Sequence, residues 1–183
     1  MAIVARECVL AGFMTAVSVG AAASPIIWSG PTQFTNTSQL IGNEDGVTLL
    51  EAYNPGGKGD LTVGGIIFTA GAGSLTGTPC LYEWATLAGA PTTDENMNQV
   101  LNSILYAGPH HHPALVFTNL KAGRAYKVQM FIVDDRNMGA IPGYMAAVDR
   151  ENGGIVGWDI GNGIPGYASF VTGSFTASSN TVS

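Results

Sequence analysis

Basic side chains are scarce in this sequence, which has seven Lys and Arg residues, thirteen Asp and Glu residues and a formal net charge of −6. Phosphate binding needs clustered Lys and Arg, so nucleic acid is excluded as a partner. Charged residues of both signs make up only 11% of the chain, against roughly a quarter in soluble domains. Hydrophobic residues at 46% and 25 glycines take their place, a composition too apolar for a disordered chain. This mixture predicts an all-β protein of short strands and glycine-rich turns.

Cysteine is also rare, and the two present, Cys8 and Cys80, form no metal-binding motif and no disulfide framework. A single bridge between them and two unrelated thiols both fit the sequence. A length of 183 residues suits one domain that buries a core without covalent cross-links.

The N-terminal apolar stretch at residues 9–23 is too short to predict a stable membrane span. Arg6 precedes it, and Ala21-Ala22-Ala23 before Ser24 resembles a signal-peptidase site, so we expect a secreted or cell-surface protein. If the segment is retained, Val9–Val19 predicts a donor strand instead. The domain prediction is therefore an N-terminal segment 1–23 and a single β-sandwich domain 24–183. The residues expected to make assembly contacts are Val9, Leu10, Phe13, Val17 and Val19.

Alternating apolar residues bounded by turns predict antiparallel strands after Pro25. The clearest is Arg124–Asp134, in which Tyr126, Val128, Met130 and Ile132 share one face while Lys127 and Gln129 lie on the other. Phe131 and Val133 make the second face partly apolar, as in a central strand. A hairpin turn or bulge is expected at Gly64-Gly65. The other predicted strands are Ile26–Trp28, Val47–Tyr53, Leu61–Ala70, Ala114–Leu120, Tyr144–Val148, Ile155–Trp158 and Ser169–Thr176.

One segment has helical rather than strand periodicity. The apolar residues at 97, 100, 101, 104 and 105 predict an amphipathic helix over residues 94–106. Thr93 or Asp94 can cap its start, and Gly108-Pro109 stops it.

Several short motifs resemble a secreted domain common in planctomycete and verrucomicrobial proteins, which is related in fold to galactose-binding-like jelly rolls. The motifs are an "A-Y-N" strand, an "N-G-V-x-F" hairpin, a "G-L-x-P-G-x-x-Y-x-V-Q-L-F" strand, a "D-x-R" loop and a "G-x-F-x-A" strand. The matching residues, in chain order, are Gly46–Asn54, Leu61–Thr69, Leu120–Phe131, Asp134–Arg136 and Gly173–Ala177, with the helix near Val100-Leu101.

This resemblance implies a jelly-roll β-sandwich that acts as a non-catalytic module in glycan binding or cell-surface attachment. Family members usually have two further apolar strands after the last motif, where this sequence has residues 178–183. We therefore expect an open sheet edge beside Ser169–Thr176. The N-terminal segment of the same or a neighbouring subunit would fill it.

The loop Asp134-Asp135-Arg136-Asn137 is the candidate ligand site. Its carboxylates could bind calcium, which prefers oxygen ligands, or sugar hydroxyls; in the alternative, Arg136 pairs with an Asp and orders the loop. Trp158, like Trp28 and Trp84, could stack on a sugar ring, although core packing is the commoner role. His110-His111-His112 cannot all reach one ion and fit a solvated loop.

Motifs for catalysis are absent from the sequence: it contains no G-x-S-x-G elbow and no glycine-rich phosphate loop with Lys. We expect no catalytic residues, no metal centre and no cofactor other than the calcium considered above. Two hypotheses remain. The first is an extracellular structural subunit that forms filaments with copies of itself by strand donation; the alternative is a monomeric module that binds extracellular glycans.

Overall fold

The structure, a computed structural model, describes residues 3–8, 25–44, 47–54, 57–71, 75–76, 80–83, 90–106, 114–132, 144–148, 155–159 and 168–182. Short strands dominate, with one α-helix and two 3₁₀ turns (Thr37–Gln39 and Ile41–Asn43) in those ranges. In chain order the elements are β1 Ile3–Cys8, β2 Ile27–Phe34, β3 Val47–Asn54, β4 Leu61–Val63, β5 Ile66–Ala70, β6 Leu75–Thr76, β7 Cys80–Glu83, α1 Glu95–Asn102, β8 Ser103–Tyr106, β9 Ala114–Leu115, β10 Phe117–Thr118, β11 Ala125–Ile132, β12 Tyr144–Val148, β13 Ile155–Asp159, β14 Ala168–Thr176 and β15 Thr181–Val182.

Seven strands form the main sheet, in the order β2-β14-β11-β1-β3-β5-β4. All neighbours are antiparallel except β3 and β5, which pair in parallel, so the sheet is mixed rather than wholly antiparallel as expected. Four further pairs, β10–β15, β12–β13, β6–β9 and β7–β8, form two-stranded sheets. The predicted all-β class is confirmed, as is the β4–β5 hairpin, where positive φ at Gly64 and Gly65 suits a two-residue hairpin turn.

The main sheet buries side chains on both faces, as strand β11 shows. Tyr126, Val128 and Met130 point into one core, which confirms their predicted shared face, while Gln129 and Phe131 are buried on the other. The first core also contains Ile26, Phe117, Leu120, Val171, Phe175 and Ala177. The second contains Phe34, Leu40, Ile41, Ala52, Val63, Ile66, Phe68, Met97, Val100, Leu101, Phe131 and Ala168.

Helix α1 begins where the sequence predicts and ends earlier. The Asp94 side chain accepts a hydrogen bond from Met97 N at 2.9 Å, which confirms Asp94 as the N-cap. The prediction that the helix reaches residue 106 is wrong, because Ser103 is extended and Ser103–Tyr106 pairs with β7. A β-branched and an aromatic residue, Ile104 and Tyr106, favour a strand there once a partner strand is present.

The expected open edge beside Ser169–Thr176 is also wrong. Strand β14 pairs with β11 on one side and with β2 on the other. Strand β2 occupies the side of β14 that was expected to be open, since β2 extends to Phe34 rather than ending at Trp28. The outer strands of the main sheet are β2 and β4. Strand β2 carries Pro31, a residue that edge strands often contain. Strand β4 is bonded to helix α1, whose Asn96 Nδ2 donates to Thr62 O at 2.9 Å.

Gly173 in β14 is a position where any side chain would be crowded. It lies opposite Trp28, and a Cβ atom there would stand 2.6 Å from Ile26 Cγ2 and 2.8 Å from Trp28 Cζ3. We expect Gly173→Val to lower the free energy of unfolding by about 1–3 kcal/mol, as overpacking does. Urea unfolding would measure this against Ser174→Val, which adds the same side chain at the exposed neighbour. An equal loss in both variants would contradict the assigned packing.

Candidate assembly site

The central position of the main sheet is occupied by β1, the first strand in chain order. Its six residues pair antiparallel with β11 from Ile3↔Met130 to Cys8↔Ala125. On the other side they pair with β3 from Ile3↔Tyr53 to Cys8↔Val47. We call the space between β11 and β3, which β1 fills, the central slot.

Of the two strands that border the central slot, β11 contributes side chains to both cores, whereas, among the described residues, β3 contributes to the second core only. On the β11 side, Gln129 is fully buried, its Oε1 accepting from Ile41 N at 3.2 Å and its Nε2 donating to Gln39 O at 2.8 Å. Lys127, two residues earlier, forms an ion pair with Glu44 at 3.2 Å. These bonds tie the 3₁₀ segment to β11, and none of them involves an atom of β1.

An empty central slot would be costly. Each of the two walls would present main-chain N–H and C=O groups that now pair with β1. A buried polar group without a partner costs about 1–3 kcal/mol, so a strand must occupy the slot for the sheet to be stable. Which molecule supplies that strand is the functional question.

A register shift interrupts the β1–β3 ladder between Ala5 and Arg6, where Ala5 pairs with Glu51 and Arg6 with Leu49. Leu50 is therefore the extra residue of a β-bulge, a feature that bends a strand and is frequent near binding sites. Leu50 is 41% exposed, which is high for a leucine in a strand that borders the middle of a sheet.

A cleft lies beside the bulge, between β3 and β5. They pair only at Tyr53↔Thr69 and Asn54↔Ala70, and a cleft of about 530 Å³ opens where the ladder stops. Its wall includes exposed Leu50 and Ile67 beside a polar pair, Tyr53 OH donating to Glu51 Oε2 at 2.9 Å. The remaining lining residues are Leu49, Ala52, Gly65, Ile66 and Thr69.

The chemistry available in this cleft is binding through a carboxylate, a phenol and two apolar side chains. Over the described ranges, no group of three or more His, Cys, Asp or Glu residues could hold a metal ion. Asn54, next to the cleft lining, is 1% exposed, and neither amide atom of its side chain has a hydrogen-bond partner among the described residues.

The predicted ligand residues fall mostly outside the described ranges. These are Asp134, Asp135, Arg136 and Asn137, together with His110–His112 and Trp84. Trp158 lies in β13, opposite Met145 of β12. Trp28 packs against the core around Val171 and Phe175, and its indole nitrogen is buried, so core packing is confirmed for this tryptophan.

The assembly residues predicted from the sequence, Val9, Leu10, Phe13, Val17 and Val19, also lie outside the described ranges. The structure instead places the N-terminal strand at Ile3–Cys8, beside β11 and β3 rather than β14. The sequence analysis missed this strand because Ile3-Val4-Ala5 is a short apolar run followed at once by the charged pair Arg6-Glu7. The β-branched residues Ile3 and Val4 were the available signal.

In the parts of the chain that the structure describes, no helix is long and apolar enough to cross a membrane. Comparisons with protein-family models, with curated proteins and with solved structures found no match to this chain.

Proposed function

We propose that this protein is a non-catalytic extracellular structural subunit, built on a jelly-roll β-sandwich, that assembles with copies of itself by exchanging strand β1. The observation that carries the proposal is the place of β1: a strand from the start of the chain fills the centre of a sheet whose other strands begin at Ile27. Strand addition into such a slot is an established mode of protein assembly.

Exchange is physically feasible because β1 and β2 are separated by a long connection. Residues 9–24, when extended, span roughly 50 Å at 3.3 Å per residue, enough to reach the slot of an adjacent copy. The ladder that β1 forms with β11 and β3 is the same whichever copy donates it. Assembly therefore depends on protein concentration and on the conformation of residues 9–24.

Whether the exchange of β1 is one-directional or reciprocal determines whether a filament or a closed dimer forms. If each copy donates to the next, the contact is heterologous and produces an open filament unless the rotation closes a ring. Reciprocal exchange between two copies gives a closed dimer. We propose the filament, because the slot lies inside the sheet and leaves its outer strands, β2 and β4, out of the contact.

A monomeric glycan-binding module is the second candidate, and the cleft between β3 and β5 favours it. Carboxylate and phenol groups such as those of Glu51 and Tyr53 bind sugar hydroxyls, while Leu50 and Ile67 offer an apolar surface to the C–H face of a sugar ring. The two candidates differ in oligomeric state, so one cross-linking experiment separates them.

The test uses the paired positions Arg6 and Lys127. In a Cys8→Ser, Cys80→Ser background, a chain carrying both Arg6→Cys and Lys127→Cys joins β1 to β11 by a disulfide. We expect exchange to produce a ladder of covalent oligomers on a non-reducing gel. The matched control carries Arg6→Cys alone and should give no ladder beyond dimer.

A cross-linked monomer without oligomers would show that β1 stays within its own chain and would favour the monomeric module. Mass spectrometry of the N-terminus of exported protein gives a second readout. A mature chain that starts after Cys8 would rule out β1 as the exchanged strand.

A further inference from the structure

The turn that follows β2 contains the acceptor sequence for N-linked oligosaccharides. Asn36-Thr37-Ser38 has the form N-x-S with a residue other than Pro in the middle, and no other Asn in the sequence begins such a triplet. Asn36 and Ser38 are exposed to solvent. An exposed acceptor in an extracellular protein is where such a modification occurs.

The hydrogen bonds of Asn36 leave the atom that would carry the sugar available. Asn36 Oδ1 accepts from Ser38 N at 2.9 Å and from the Ser38 hydroxyl, and Gln39 Oε1 accepts from Asn36 N at 3.2 Å. Among the described residues, the hydrogen bond that Nδ2 donates is a long one, to Thr35 Oγ1 at 3.5 Å. Because the sugar attaches to Nδ2, the cap that Oδ1 provides to the 3₁₀ turn is retained.

The position of Asn36 places an attached sugar close to the outer strand β2. Asn36 stands just beyond the end of β2, an outer strand of the main sheet, between the fully buried side chains of Phe34 and Leu40. A sugar there would extend from a turn whose two ends are held in place by these buried side chains. Outer strands invite pairing with other chains unless something shields them, and an oligosaccharide at this point would provide that shield.

We propose that Asn36 is N-glycosylated and that the sugar blocks lateral pairing along β2, so that copies associate only through the central slot. This rests on the extracellular location in the proposed function. The donor is an oligosaccharide linked to a lipid diphosphate. A bond forms between Asn36 Nδ2 and the sugar C1 as the bond from C1 to the diphosphate oxygen breaks; the lipid diphosphate leaves, and Nδ2 releases one proton.

The experiment compares the full chain secreted by its native cells with two variants at Ser38. Ser38→Ala removes the acceptor hydroxyl but keeps the main-chain bond from residue 38 to Asn36 Oδ1, whereas Ser38→Thr keeps the acceptor. We expect peptide mass spectrometry to show hexose and N-acetylhexosamine units on Asn36 in the native protein and in Ser38→Thr, and none in Ser38→Ala. Light scattering should show larger, laterally associated particles for Ser38→Ala.

The outcomes separate this inference from the proposed function. Exported protein in which Asn36 is unmodified overturns the inference alone, provided that the disulfide ladder between positions 6 and 127 still forms. A glycosylated protein whose Ser38→Ala variant assembles to the same particle size overturns the shielding role. Protein retained inside the cell overturns the extracellular location and this inference together.

Discussion

Deleting residues 1–23 is expected to leave no stably folded protein. The deletion removes β1, and the facing edges of β3 and β11 lose a ladder of six residues on each side. A few buried main-chain groups at about 1–3 kcal/mol each already equal a typical net stability of about 5–15 kcal/mol. Thermal unfolding followed by circular dichroism, with light scattering for aggregation, measures the effect.

A peptide of residues 1–12, supplied during refolding, is the matched rescue. It should restore a cooperative unfolding transition, because the slot accepts a strand whichever chain carries it. The same peptide with Ala5→Pro should fail, since proline removes a donor and is not tolerated in the middle of a sheet. A deletion variant that is monomeric and as heat-stable as the full chain would contradict the prediction. It would leave residues 1–23 as a signal peptide and favour the glycan-binding module.

The second large effect concerns the buried face of β11. Val128 is 1% exposed and Met130 4% exposed, so Val128→Asp or Met130→Asp would place an unpaired charge in the core. Burying such a charge costs several kcal/mol or more, and we expect neither variant to yield folded protein. Soluble yield and urea unfolding provide the measurement.

Lys127→Gln is the control, because Lys127 immediately precedes Val128 on the same strand and is only half-buried. It loses the ion pair with Glu44, and partly exposed pairs contribute about 0–1 kcal/mol. The control should therefore fold with nearly unchanged stability. Equal loss of soluble protein in all three variants would show that the inward face of β11 is assigned incorrectly.

The features that could be predicted from the sequence are those whose cause is local. The hairpin at Gly64-Gly65 needs two residues that tolerate positive φ, and glycine is the residue that does so most easily. The start of α1 needs a side-chain acceptor at Asp94. The buried face of β11 follows from alternation along a single strand. In each case the determining residues are within a few positions of one another.

The candidate site could not be predicted to the same degree, because it depends on which strands become neighbours. Ile3–Cys8 is too short and too charged to be recognised as a central strand from its own residues. Whether β14 has an open side depends on β2, more than a hundred residues earlier in the chain. The residues predicted for ligand binding, Asp134 to Asn137, lie outside the described ranges, so that part of the site stays a prediction.

Composition and periodicity were thus sufficient for the all-β class and the single helix of the described ranges, because apolar spacing acts within one segment. The mixed sheet, the central position of β1 and the cleft beside the bulge at Leu50 required the tertiary structure. Strand pairing joins main-chain groups that are the same in every residue, so the partner is selected by how both cores pack together and not by the sequence of either strand alone.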